Sequence, residues 1–558
     1  MKTINRLFGN KILIVCIILL AAVIRLWNLN TVPPHLTPDE AALGYNAYSI
    51  LKTGRDEQGM FMPLVFKSFG DYKPGLYIYA TVPFVAVIGL NEWSVRLPST
   101  LFGILSVYLL YLIIRYLFPK NKNLPLVVAF VAAINPWLIY FSRGAWEANM
   151  SLTLTLLGMY FFLKAMKESR FLIYSTIFFG LTLITYQGAK LSSAIVILLL
   201  IVTYWNGFWK IDKKQLFTSV FLGLIISLPI VFSLFFGQAG RLKVFSIFSN
   251  SRSDSFLQNM LEQNNEKKWG LNYLLFHSDS YDTFRGILGR WFNHFSGRFL
   301  FFEGDWPNPR HSAPYQGMLL MSDLLLLLYG LYETLKNKLS KEKLFILLWL
   351  ILAPLPAVLT RDQVHAVRGL NMAIPLIFII AFGLNSLITK VNENKYKLVF
   401  IIVGGLVYLG GILYFLDAYF IHVPTHNSKL WEYGYKQIVE TITPIQAKYE
   451  TIKVQQSFSQ PYIYFLFYQK YDPSKYQKQV KFVESGFKGD VGYIEKLDNI
   501  QFVPIDWSIN RGDHGTLVVG DGIRIPMSDS NNQKEFKLIN DIYYLNDRDL
   551  AFRIIEVK

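Results

Sequence analysis

Eleven apolar runs punctuate the first 420 residues, at about 11–27, 98–118, 124–141, 149–166, 171–186, 191–209, 216–236, 316–335, 344–359, 369–389 and 398–418. Each is long enough, or nearly so, to cross a hydrocarbon layer of ~30 Å. Lipid offers the backbone no hydrogen-bond partners, so a chain patterned this way must satisfy its own N–H and C=O groups within helices. Only 17% of residues are charged and the mean hydropathy is +0.30, whereas soluble domains carry roughly 25% charge. Soluble, collagenous and disordered classes are thereby excluded. The single cysteine, Cys16, lies inside the first run, which excludes an intrachain disulfide and a cysteine-based metal site.

The net charge of +16 points to membrane topology once it is located. Residues 421–558 hold 17 basic and 17 acidic residues, so the excess belongs to residues 1–420, with 38 basic against 22 acidic. The N-terminus and the short loops 115–122, 164–170, 210–214, 336–343 and 390–397 carry 19 Lys/Arg. Alternate loops carry few, and the positive-inside rule then puts the basic set in the cytoplasm. Basic residues placed between spans are no nucleic-acid groove, and no nucleic-acid partner is expected. The stretch 76–90 is short, tyrosine-rich and centred on Pro83; as a span it would invert every later loop, so it is read as a helix lying at the outer interface. Arg25-Leu-Trp-Asn follows the first run where a cleavage site would need small residues, so that run is read as a retained helix.

The expected fold is an α-helical polytopic membrane protein of about eleven transmembrane helices plus that interfacial helix. Residues 1–420 form the membrane module, with outer loops 28–97 and 237–315. Residues 421–558 form a small extracytoplasmic α/β domain, with strands expected at 451–455, 461–467, 516–519 and 551–557 and a helix over 428–441 from Ser428. The location implied is a plasma membrane, of bacterial type, with the N-terminus cytoplasmic.

Candidate chemistry gathers on the outer face. Thr37-Pro38-Asp39-Glu40 follows the first span, and its two acids also suit the first turn of a helix. Asp71-Tyr72-Lys73-Pro74 and Arg96-Leu97-Pro98-Ser99 come later in the same loop. Arg143 and Glu147, Lys190, the run from Asp305 to Arg310-His311, and His365 with Arg368 lie in other outer loops. Any one of these cations alone would serve as a headgroup anchor. Together, facing paired carboxylates, they suit an anionic lipid phosphate, arginine offering a bidentate fork and lysine a point charge.

Asp39-Glu40 after the first span, Lys73-Pro74 before the interfacial helix, Arg96-Leu-Pro-Ser, Arg143 followed by an acid, and His365…Arg368 together resemble the C-type (GT-C) integral-membrane glycosyltransferases that use polyprenyl-phosphate sugars. The resemblance, over about residues 10–390, is to the protein O-mannosyltransferase and lipid A aminoarabinose transferase group. It implies Asp39, with Glu40, as the catalytic acids and Lys73 and Arg96 near the donor phosphate. Gly75 stands where that group often has a second proline after Lys-Pro.

The residues support such a transfer in chemical terms. Sugar would pass from a polyprenyl-phosphate donor to a glycan, lipid or protein acceptor at the outer face, with inversion, Asp39 taking the acceptor's proton. Lys73, Arg96, Arg143, Lys190 and Arg368 would bind the donor phosphate, and Glu147, Asp305, Arg310, His311 and His365 would contact substrate. No cofactor is required; a divalent cation is admissible, because Asp39, Glu40, Glu147 and Asp305 are hard oxygen ligands. The competing expectation is a transporter or flippase of a lipid-linked glycan, which would place its ionisable residues at the midplane rather than at one surface.

Overall fold

The computed structural model describes residues 2–235, 247, 254–336, 338–392, 395–456, 460–484, 491–530, 532–546 and 548–558. Most of the start of the expected outer loop 237–315 therefore lies outside the described residues.

Every apolar run carries a helix. Among the described residues, three helices are by length and composition apolar and long enough to cross a membrane alone: Glu92–Leu117, Leu370–Val391 and Lys397–His426. The pair Leu124–Ile134 and Pro136–Ser142 is long and apolar enough only when taken together, and is bent by 57°, as in a broken span or a re-entrant loop. The bend has a local cause. Pro136 pushes Asn135 into extended backbone (φ −66°, ψ 123°), and the Asn135 side chain then caps the second segment through Leu138 N. The helix in the run 316–335 begins only at Asp323. Ahead of it Gly317, Met318 and Leu319 donate to the carbonyls of Phe301, Phe299 and Leu300. Prolines explain the break in 344–359, which divides into Lys341–Leu352 and Leu355–Val358 around Pro354. Helices Asp323–Leu335 and Ala373–Asn392 touch backbone to backbone: a Cβ on Gly330 would sit 1.9 Å from Ile379 O, and one on Gly383 2.3 Å from Leu326 O. Small residues let membrane helices approach this closely.

The stretch 76–90 forms the helix Leu76–Ile88 and keeps Pro83 inside it. Before it, Val65–Ser68 and Asp71–Pro74 pair as an antiparallel hairpin. Its two turn residues, Phe69 (φ 57°) and Gly70 (φ 80°), both have positive φ, as a tight two-residue hairpin turn requires.

The C-terminal region builds a six-stranded mixed sheet in the order 496–497, 500–503, 452–455, 517–520, 550–557, 536–543. Ile452–Gln455 runs parallel to both its neighbours, and the outer strands pair antiparallel. Two expectations fail here. The run 461–467 is a helix, Tyr462–Tyr468, buried along its length; a continuous apolar run carries no periodicity to separate strand from buried helix. The helix expected from Ser428 starts only at Tyr435, after Glu432 (φ 56°) and Gly434 (φ 119°). Positive φ at two positions in three cannot continue a right-handed helix.

One face of this sheet shares its core with the first outer loop. Tyr435, Ile438, Tyr462, Phe465 and Phe467 pack in one cluster with Leu43, Tyr45, Phe66, Phe69 and Tyr77. Gly44 is where the helix Pro38–Thr53 meets Phe467, whose ring lies 2.6 Å from the position a Cβ would take. The C-terminal region thus backs the loop that carries Asp39 and Lys73.

Candidate active site

Thr37 and Glu40 start the helix Pro38–Thr53 with a reciprocal capping box: Glu40 N donates to Thr37 Oγ1 (3.2 Å) and Thr37 N donates to Glu40 Oε2 (3.0 Å). Pro38 pre-sets the first turn. This cap turns the two adjacent acids in different directions. Glu40 points inward, its side chain 6% exposed, and accepts from Arg96 Nε (3.1 Å) and Ala145 N (2.8 Å). Asp39 points outward, its side chain 57% exposed, and is ion-paired with Lys73. The hairpin places Lys73 there, with its Nζ also 5.2 Å from the centre of the Phe69 ring. Gly492 N, from the C-terminal region, donates to Phe69 O (2.9 Å) and pins the hairpin turn.

Asp39 and Lys73 lie on a cavity of about 900 Å³. Its wall draws on most of the segments named from sequence: Glu40, Glu147, Lys190, Arg310, His311, His365 and Arg368 line it too, while the segment 96–99 does not. Lys190 Nζ donates to Gln187 Oε1 (3.2 Å), and Arg368 Nη1 to Thr360 Oγ1 and Asp362 Oδ2 (both 2.9 Å). Arg310 is held at its own backbone, where Tyr140 donates to its carbonyl (2.7 Å). Among the described residues its guanidinium has no carboxylate partner.

Three expected site residues stand behind the wall. Arg96 is fully buried; beyond Glu40, it donates to the carbonyls of Leu29, Pro33 and His35 at 2.8–2.9 Å. Arg143 is also buried and donates to Ile24 O (2.6 Å), Trp27 O (2.5 Å) and Val32 O (2.9 Å), beneath the Phe420 ring. These two arginines brace the chain where it leaves the first helix, and neither lines the cavity. Asp305 is fully buried and supports the wall through His311: its Oδ2 accepts from His311 Nδ1 (2.8 Å) and Ala366 N (2.7 Å), its Oδ1 from Asn308 Nδ2 (3.1 Å). Glu40 touches the cavity, yet its oxygens are committed to the cap and to Arg96.

His311 and His365 face each other with ring centroids 5.1 Å apart. Burial lowers the pKa of both, further for His365, where Arg368 adds to the effect. His365 is fixed from behind: its N–H donates to His294 Nε2 (3.3 Å) and its Nδ1 accepts from Arg368 N (3.3 Å). Asp305, His311 and His365 each bring one donor atom within 4.8 Å of the others, the arrangement among the described residues that could hold a metal ion. Sequence reading passed over Asp362, which pairs with Arg368, and Tyr186 and Trp146 as wall residues. The Arg361-Asp362 pair between two spans was the available signal for the first of these.

Residues 73–232 match the family model described as dolichyl-phosphate-mannose-protein mannosyltransferase. The chain is 26% identical over 154 residues, 28% of its length, to the putative mannosyltransferase YycA of Bacillus subtilis (strain 168), and spans only 22% of that relative. Its fold is similar to that of ArnT from Cupriavidus metallidurans, solved bound to undecaprenyl phosphate, with a TM-score of 0.55 at 13% identity over 98% of this chain and 97% of that one. It is also similar to the archaeal oligosaccharyltransferase AglB from Archaeoglobus fulgidus, solved with an inhibitory peptide and a dolichol-phosphate. There the TM-score is 0.51 at 13% identity, over 83% of this chain and 64% of the other.

Proposed function

We propose that this chain, a C-type membrane glycosyltransferase by its fold and by the mannosyltransferase match over residues 73–232, transfers a sugar from a polyprenyl-phosphate donor to an acceptor hydroxyl or amine at the outer membrane face. The observation that carries this reading is the Asp39–Lys73 ion pair on a cavity whose other walls present Lys190, Arg310 and Arg368. A lipid phosphate entering the cavity competes with Asp39 for Lys73. Its binding draws the ammonium away and leaves the carboxylate ready to act as a base. The acceptor's oxygen or nitrogen then attacks the anomeric carbon while its proton passes to Asp39. The bond from that carbon to the phosphate oxygen breaks, and its electron pair leaves with the polyprenyl phosphate. Charge grows on the leaving phosphate, where preorganised cations lower the barrier most. One displacement of this kind inverts the anomeric centre.

Two supports come from outside the cavity. ArnT was solved with undecaprenyl phosphate and AglB with dolichol-phosphate, so lipid phosphates suit proteins of this fold. The charge of the basic loops supports a parity with the cavity, the first loop and the C-terminal sheet outside the cytoplasm. A flippase would need ionisable groups along a path through the bundle. Arg25 is instead tied to the carbonyls of Ala132 and Ala133 as a brace, and Asp323 starts its helix bound to Leu320 N and Tyr408.

The test compares surface glycans and glycoproteins, by mass spectrometry, from cells lacking the protein and cells making wild type or Asp39→Asn. Loss of one sugar class in both the deletion and Asp39→Asn cells supports the reading and names sugar and acceptor. An unchanged profile in the deletion would overturn it.

A further inference from the structure

We propose that Asp305, His311 and His365 form a binding site for a divalent transition metal of the zinc type on the wall of the cavity. One donor atom from each residue lies within 4.8 Å of the other two. Metals of this class hold imidazole and carboxylate donors at about 2.0–2.2 Å, which requires donor atoms somewhat closer than that; a modest inward movement completes the set. The donor chemistry selects the metal. Two nitrogens and one oxygen suit zinc and its neighbours, whereas magnesium and calcium favour oxygen alone. The sequence admits a cation at Asp39, Glu40, Glu147 and Asp305 without requiring one; of these, Glu40 is engaged by Arg96 and the helix cap, and Asp39 by Lys73.

The surroundings are those of a built site. Ala366 N and Asn308 Nδ2 orient the Asp305 carboxylate, and His294 holds the His365 backbone. Such outer contacts keep metal ligands aimed. His311 packs at right angles to Trp146, with centroids 5.5 Å apart, which limits its rotation. The hydrogen bond from His311 Nδ1 to Asp305 already aligns those two partners; a metal seated between them takes the Nδ1 lone pair of the other neutral tautomer, the proton moving to Nε2 with no net release. Three protein ligands leave one position for an outside oxygen, and His311 and His365 both open on the cavity that Arg310 and Arg368 share. That this fourth ligand is a phosphate oxygen rests on the glycosyl-transfer reading; the metal site itself does not.

The experiment uses full-length protein in nanodiscs, stripped with a chelator and titrated with zinc alone by calorimetry, then with cobalt read by visible absorption. Wild type should bind zinc and give the spectrum of cobalt held by nitrogen and oxygen. His365→Ala, His311→Ala and Asp305→Asn should weaken zinc at least about tenfold, while Glu147→Gln leaves it unchanged. Melting temperatures of the stripped proteins show whether each variant folds, and the milder His365→Gln stands in for one that does not. Wild type that takes up no zinc overturns the proposal. So does zinc affinity equal to wild type in folded His365 variants, or loss of zinc in Glu147→Gln instead. Wild type that binds zinc through these residues yet transfers no sugar leaves the site standing and removes only the glycosyl-transfer reading.

Discussion

Asp39 and Glu40 are neighbours in sequence and opposites in situation. Glu40 belongs to a closed network: cap, Arg96, Ala145 N, and through Arg96 the carbonyls of the segment after the first helix. Asp39 belongs to an open pair with Lys73 on the cavity, its side chain more than half exposed. The same contrast separates Arg96 and Arg143, buried on backbone carbonyls and, for Arg96, on Glu40, from Lys73, Lys190 and Arg310, which line the cavity. Charge type and sequence position do not distinguish brace from reagent here. The direction imposed by a helix cap does, and each side of the contrast fails differently when removed.

The largest expected effect is on the open side. Asp39→Asn keeps the shape of the side chain but cannot take a proton, and loss of a general base costs about 10²–10⁴ in rate. Melting temperature should fall less than in a fully buried pair, because Asp39 is more than half exposed although Lys73 is buried. Transfer at near wild-type rate by purified Asp39→Asn would place the base elsewhere. The closed side should show the reverse. Removing one partner of a buried ion pair destabilises by about 3–5 kcal/mol, so Arg96→Ala should lower the melting temperature sharply. Whatever folds should retain its KM for the donor. A donor KM raised in Arg96→Ala with stability intact would return Arg96 to the phosphate site.

Much of this contrast was out of reach of the sequence. The expectation that Asp39, Lys73, Lys190, Arg310 and Arg368 share one face follows from the apolar runs and the basic loops, both long-range and redundant signals, and the five do line one cavity. Whether Arg96 points to a phosphate or to the carbonyl of Leu29 depends on a cap geometry and on segments more than 60 residues away. Asp305 and His365 likewise meet across some 60 residues, a convergence no local motif encodes. The C-terminal strands with clear β-branched runs were legible, and Tyr462–Tyr468 was not, because full burial erases periodicity. The shared core of the first loop and the C-terminal sheet had no sequence signature at all.

Glu57 sharpens the comparison from behind the hairpin. It is fully buried, and burial pushes its pKa up to about 7, with Ser68 and Lys73 only partly offsetting the cost. Below the unfolded value of 4.5 both states hold the proton. Between 4.5 and about 7 the unfolded chain loses it while the folded chain keeps it, so stability falls as pH rises, then levels off above about 7. At 1.36 kcal/mol per unit, the fall attributable to Glu57 is about 3 kcal/mol. Glu57→Gln should remove it: the variant's melting temperature should gain on wild type steadily from pH 4.5 to 7.5. Parallel pH profiles for the two proteins would mean that Glu57 is charged in the folded state.

The smallest effect is the most specific test of the open side. Arg310 lines the cavity and, among the described residues, has no carboxylate to neutralise it. Removing it should therefore cost no internal partner, unlike removing Arg96. If its guanidinium meets the donor phosphate, Arg310→Ala forfeits a charge-assisted bond worth about 1.5–3 kcal/mol. At 1.4 kcal/mol per decade that is a rise of about 10- to 150-fold in donor KM. Arg310→Lys should recover part of the loss, since it restores the charge but not the bidentate fork. High salt should narrow the gap only slightly, because a charge inside a cavity is poorly screened. A membrane anchor behaves otherwise: it tolerates lysine fully and alters stability or insertion while donor KM stays fixed. Donor KM measured for wild type and both variants separates the two, and an unchanged value in Arg310→Ala would leave Lys73 and Lys190 to hold the phosphate without it.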